Sequence, residues 1–222
     1  MANWRITVLA FVAAALGWGN VMAAGTSSSR HVAVDLIAAA SAAVPGKTLT
    51  VAVRERIEPG WHTYWVNPGD SGEPTSVEWN LAGGLAAGPI LWPIPHTIEV
   101  GPLTEYGYDG EVLLLTEVQV PAEAAGSVNL AAKISYLVCK DICIPEDAQV
   151  QLTLPVAGEA APSEHAAQIA RAKAALPMPL PGTASYSANP AKGALRLTVL
   201  AEPRLLEGLT DARFFPLTWG AI

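Results

Sequence analysis

Basic residues are scarce in this 222-residue chain: 13 Lys and Arg against 20 Asp and Glu, a formal charge of −7. An acidic protein with no basic cluster is a poor match for nucleic acid or an anionic membrane surface. Long apolar runs are also missing beyond the first thirty residues. There the longest uncharged stretch, Trp79–Ile98, is broken by Gly83, Gly84, Gly88, Pro89, Pro93 and Pro95. Backbone groups freed by so many breakers have no partner in lipid, so this stretch is not a membrane span. The four histidines, His31, His62, His96 and His165, show no ligand spacing among themselves. Cysteine is scarcest of all, at two residues, Cys139 and Cys143.

The start of the chain supplies what the remainder lacks. One positive charge at Arg5 precedes the apolar run ITVLAFVAAALGW, and small residues surround Ala23 and Ala24. This is the pattern of an export signal, expected over 1–24 and cleaved to leave a mature chain in an oxidising compartment. Two cysteines in such a compartment are normally paired.

The mature sequence reads as β. TLTVAVRERI (48–57) alternates, with Leu49, Val51 and Val53 on one face and Thr50 and Arg54 on the other. EVLLLTEVQV (111–120), SVNLAAKISYLVC (127–139) and AQVQLTLPV (148–156) follow in the same manner, and HVAVDLIAA (31–39) and SVEWN (76–80) are weaker candidates. Short strands separated by Gly and Pro turn signals predict an all-β fold, an immunoglobulin-like antiparallel β-sandwich over 27–157. Residues 158–182 read as a linker containing one helix, EHAAQIARAKAAL, capped by Ser163 and stopped before Pro177. Over 183–222, ALRLTVLAEP and ARFFPLTWGAI restart a strand pattern, the expected beginning of a second, partial β domain.

The cysteines lie in YLVCKDICIPE (136–146). By parity, Val128, Leu130, Ala132, Ile134, Tyr136 and Val138 share the buried face, which places Cys139 on the more polar side, open to a partner. A straight strand would separate the two cysteines by about 13 Å, whereas a disulfide needs Cα atoms within roughly 7 Å. Pairing therefore requires a tight turn at Lys140-Asp141-Ile142, with Pro145 expected to prevent an immediate return to a central ladder. A ring this small stabilises by only about 2 kcal/mol through chain entropy. A staple and a redox pair both remain open on these grounds. A soft-metal clamp for Cu(I), with Met178 or the histidines as further ligands, is a third reading. The spacing is not CxxC and no helix start is visible, so the thioredoxin-type arrangement is excluded.

GWHTYWVNPGDSGEPTSVEW (60–79), GPLTEYGYDGEVLL (101–114) and YLVCKDICIPE together resemble the N-terminal periplasmic region of the DsbD/ScsB family of thiol:disulfide reductases. The resemblance implies an immunoglobulin-like redox domain in the periplasm with Cys139 and Cys143 as its catalytic pair. It implies electrons arriving from a thioredoxin-like domain, itself supplied through a membrane-embedded reductase domain, and leaving to periplasmic thioredoxin-fold proteins. It also implies a cap loop at EYGY, with Tyr106 the shielding ring and Tyr108 second; Glu105 reads either as a proton-transfer group near the sulfurs or as a solvated loop carboxylate. His62 and Tyr64 correspond to residues lining the site, although plain core packing is the alternative for Trp61, Tyr64 and Trp65. No cofactor is implied, and the membrane and C-terminal thioredoxin-like domains are not part of this sequence. Two other functions remain beside exchange: a non-enzymatic sandwich with a structural disulfide, and a Cu(I)-binding copper-tolerance protein, since ScsB is named for suppression of copper sensitivity.

Overall fold

In the computed structural model, residues 27–28, 31–189, 194–208 and 210–218 are described. The expected signal over 1–24 lies outside them. The expected strands form, with others between them. In chain order they are β1 (Ser27–Ser28), β2 (Val32–Ala38), β3 (Thr48–Ile57), β4 (Thr63–Gly69), β5 (Ser76–Leu81), β6 (Ala86–Ala87) and β7 (His96–Val100). Next come β8 (Leu103–Tyr108), β9 (Glu111–Gln119), β10 (Ser127–Cys139) and β11 (Cys143–Pro155). Helix α1 (Ala166–Ala174), β12 (Gly182–Asn189), β13 (Ala194–Ala201) and the short α2 (Pro203–Leu206) complete the order.

The architecture is an all-β, immunoglobulin-like antiparallel sandwich. One sheet runs β1-β2-β3-β9-β6 and the other β11-β10-β5. Period-two alternation builds the core between them: Val34, Leu36, Val51, Val53 and Leu114 from the first sheet meet Leu130, Ala132, Ile134, Tyr136 and Val150 from the second. Leu130 and Ile134 are fully buried, each worth about 1.5–3 kcal/mol of hydrophobic stabilisation. A third sheet, β4-β8-β7, stands beside the sandwich and carries TYWVNPG and LTEYGY from the first two segments quoted above. Its strands lacked a clean apolar alternation, because both faces of β4 are used and Pro68 lies inside it.

The ladder resumes at once, with β11 beginning at Cys143 and Pro145 opposite Leu137, but β11 is the edge of its sheet and not a central strand. An edge strand tolerates proline because its missing N–H faces no neighbour. Two expectations are corrected. Ser163 is not the cap residue of α1; that position is His165. The Ser163 hydroxyl instead accepts from His165 N at 3.0 Å and donates to Ala38 O, pinning the helix entry to β2. Within the expected linker, α1 packs Ile169 against Ile37, Ala52, Leu113 and Leu115 on the outer face of the larger sheet. Finally, β12 and β13 form a two-stranded sheet, but no strand forms over 210–218. That segment folds back onto β4 and β8 instead.

Candidate functional site

Cys139 and Cys143 are disulfide-bonded. They end β10 and begin β11 as directly opposed ladder partners, joined by Lys140, Asp141 and Ile142. The turn reduces the straight-strand distance to a Cα separation of 4.1 Å. The backbone explains this closeness. Cys139 directs both its N–H and its carbonyl away from β11, exchanging hydrogen bonds of 3.0 and 2.9 Å with His62 just ahead of β4. The cysteines therefore form a non-hydrogen-bonded pair, the register in which opposed side chains approach most closely.

The same bridge decides which cysteine is exposed. Alternation holds through Val138, with even-numbered residues of β10 buried. Cys139 departs from it. At 2% exposure it is covered, because the chain at His62 runs alongside it. Cys143, on the edge strand, is exposed, as is Ile142 beside it at 65%. The exposed cysteine is thus Cys143 and the covered one Cys139, the reverse of the parity reading.

Behind Cys143 lies a buried polar cluster. His62 and Tyr64, two residues apart, project to one side of the chain entering β4, and Glu105 reaches the same place from β8. His62 Nε2 lies 2.8 Å from Glu105 Oε2, and the Tyr64 hydroxyl donates to the same oxygen at 3.1 Å. His62 Nε2 and the Tyr64 hydroxyl are 3.3 Å apart. The Ser71 hydroxyl donates to Glu105 Oε1. Glu105 is 2% exposed, so these partners replace the water it has lost. The Tyr64 hydroxyl also stands 3.5 Å from Cys143 Sγ. Burial, and then the Glu105 carboxylate, push the Tyr64 phenol well above its usual range, while Ser71 opposes them. Tyr64 is therefore a neutral hydroxyl at any ordinary pH; its one proton goes to Glu105, with Cys143 Sγ within reach as an alternative acceptor. Gly72 makes room for its ring, since a Cβ there would lie 2.3 Å from Tyr64 Cε1.

Of the residues named from sequence, Cys139, Cys143, His62, Tyr64 and Glu105 come together. Tyr106 and Tyr108 do not join them. Neighbouring residues of a strand face opposite ways. Since Glu105 faces the sulfur, Tyr106 points to the reverse side, edge-on to Trp65 and Phe215 with ring centroids 6.5 and 5.3 Å away. Tyr108 is buried in the sandwich core, its hydroxyl donating to Pro93 O at 2.8 Å. The ring brought to the disulfide is that of Tyr64.

Two residues were missed. Ser71 carries no local signal, as the loop Asp70–Pro74 has no periodicity. Glu55 did: in TLTVAVRERI it is in phase with Leu49, Val51 and Val53, the buried face. It is fully buried, accepting from Thr63 at 2.8 Å and Thr75 at 3.0 Å, and burial pushes its carboxyl up against the effect of those two bonds. Thr63 sits between His62 and Tyr64, while Thr75 ends the loop that holds Ser71 and Gly72. Glu55 thus ties both flanks of the cluster to β3. Among the described residues, no group of three or more His, Cys, Asp or Glu is placed to hold a metal ion.

Comparison with known proteins follows the same residues. The crystal structure of the N-terminal periplasmic domain of ScsB from Proteus mirabilis superposes with a TM-score of 0.58 at 21% identity, covering 80% of this chain and 68% of that one. No curated protein sequence matches. The family described as "Thiol:disulfide interchange protein DsbD, N-terminal" matches residues 31–155, a span that holds both sulfurs and every member of the polar cluster. The chain belongs to this DsbD N-terminal family, and residues 31–155 form a thiol-disulfide exchange domain.

Proposed function

We propose that this domain relays electron pairs in the periplasm, as a thiol:disulfide oxidoreductase. It takes them from a thioredoxin-like donor, fed by a membrane-embedded reductase, and passes them to thioredoxin-fold acceptors. The observation that carries this reading is the asymmetry of the pair. Cys143 is exposed beside a protonated Tyr64 hydroxyl, and Cys139 is buried directly behind it.

In the loading step a donor thiolate attacks Cys143 Sγ. The Cys139–Cys143 bond breaks, and Cys139 leaves as a thiolate that takes up a proton. The donor's second thiolate then attacks the donor sulfur of the mixed disulfide, releasing Cys143. The domain is now a dithiol and the donor a disulfide. In the unloading step the Cys143 thiolate, accepting a hydrogen bond from Tyr64, attacks the acceptor disulfide and expels one acceptor thiolate. Cys139 deprotonates and attacks Cys143 Sγ, re-forming the bond and releasing the second acceptor thiolate. Two electrons and two protons pass from donor to acceptor, and the domain returns unchanged.

Glu105 fixes the Tyr64 hydroxyl through their hydrogen bond, and His62 fixes Glu105. Tyr64 is the member of the cluster that reaches sulfur, and it acts there as a hydrogen-bond donor that keeps its proton.

A Cys139→Ser variant leaves Cys143 free to attack but removes the thiol that resolves the mixed disulfide. Mixed with a thioredoxin-fold protein in its oxidised form, it is expected to accumulate a covalent adduct, whereas Cys143→Ser is not. If neither variant forms an adduct, or Cys143→Ser alone does, the assignment fails.

A further inference from the structure

The β4–β8 pair is a two-faced plate. Tyr64 and Glu105 occupy the face turned to the disulfide, while the next residue along each strand, Trp65 and Tyr106, occupies the reverse. The pairing is also uneven. Tyr64 opposes Gly107 and Gly69 opposes Glu105, so residues 65–68 bulge out against Tyr106 alone. Such an arch lacks the ladder bonds that would hold a regular strand.

Something else holds it. Phe215 packs edge-on against both Trp65 and Tyr106, with ring centroids 6.1 and 5.3 Å away. At the top of the arch, Asn67 is 2% exposed. Its Nδ2 donates to Pro216 O at 2.7 Å and to Thr218 O at 3.4 Å, while its Oδ1 accepts from Gly69 N at 3.1 Å. Covered this completely, the Asn67 amide relies on those two carbonyls in place of water. Phe215 and its neighbours lie far outside the family match, which ends at residue 155.

We propose that residues 215–218 are a clasp that sets the exchange chemistry from behind, with Phe215 and Asn67 as positioning residues for Tyr64 and Glu105. The proposal rests on the thiol-disulfide exchange reading and extends it. The mechanical link is one residue long on each strand: what fixes Trp65 fixes Tyr64, and what fixes Tyr106 fixes Glu105. Close-packed plates of this kind shift between arrangements and do not bend smoothly. The segment beyond the family domain is therefore part of its active-site scaffold.

The test measures the rate at which iodoacetamide alkylates Cys143 of the full chain after reduction by dithiothreitol, under conditions where each variant is folded. Phe215→Ala and Asn67→Ala are expected to slow alkylation by roughly fivefold, approaching the roughly tenfold loss of thiolate stabilisation when the hydroxyl is moved away. Phe215→Tyr, which keeps the ring, is expected to restore the wild-type rate. In a Tyr64→Phe background, Phe215→Ala is expected to cause no further loss, because the clasp acts through that hydroxyl. A Phe215→Ala protein with a lower denaturation midpoint but the wild-type rate would overturn the clasp and leave the exchange function standing. Additive losses in the double variant would overturn it too. A wild-type bond that resists dithiothreitol altogether would overturn both.

Discussion

Gly72→Ala probes how firmly the Tyr64 ring is seated. Gly72 has φ of +98°, and a Cβ there would lie 2.3 Å from Tyr64 Cε1 and 2.4 Å from Cζ. Carbon atoms rest at about 3.5–4.0 Å, so ring and loop would have to part by roughly 1 Å or more. Tyr64 is fully buried, so any such shift strains what surrounds it. Two costs add. An L-residue at such a backbone angle costs about 1–2 kcal/mol, and overpacking a filled site costs about 1–3 kcal/mol. Gly83 isolates the first, since its φ is +67° and nothing lies within 4 Å of its missing Cβ. Both alanines restrict the unfolded chain similarly, so that offset cancels between them. Urea denaturation should therefore place Gly72→Ala below Gly83→Ala by about 1–3 kcal/mol. Only Gly72→Ala should also slow alkylation of Cys143 in the reduced protein, because the Tyr64 hydroxyl is moved off Cys143. Equal stabilities for the two variants, with equal alkylation rates, would refute the claim that this loop seats the ring.

Glu55 gives a pH signature. Burial raises its carboxyl above the ordinary value of 4.5 in the folded state. On raising pH the unfolded chain then loses that proton first, and the stability it contributes at low pH is lost as pH rises through the folded value. Glu55→Gln should therefore gain on wild type as denaturation is repeated from pH 4 to pH 8; a constant difference would contradict this. Tyr64→Phe keeps the ring and removes the hydroxyl. A bond to a charged partner is worth about 1.5 kcal/mol or more, so iodoacetamide should alkylate Cys143 of the reduced protein about tenfold more slowly, and an unchanged rate would remove Tyr64 from the chemistry. Reducing the disulfide should cost only about 2 kcal/mol of stability, given the small ring it closes; unfolding on reduction would point to a structural staple.

The sandwich was legible because alternation is local. Val128 through Val138 and Leu49 through Val53 announce their buried faces, and the fold obeys them. The burial of Cys139 was not legible, since it comes from His62, distant in sequence, bridging to its backbone. Parity in β10 has no access to that neighbour. EYGY resembles a cap loop, but it is the end of strand β8, and which of its side chains faces the polar cluster depends on the register of β8 against β4. That register carries an arch of residues 65–68 that no periodicity foretells. Glu55 was readable and went unread: a carboxylate in phase with three buried aliphatics is itself a signal. ARFFPLTWGAI looked like a strand because it is apolar, but the described part of it lies across other strands with its rings and carbonyls and joins no ladder.

The midpoint potential of the Cys139–Cys143 couple, measured by thiol labelling across graded redox buffers, tests the account most directly. A value between about −180 and −270 mV, the range of proteins that exchange disulfides for a living, is the predicted result. A value below about −300 mV would make the bond a permanent staple and contradict the relay.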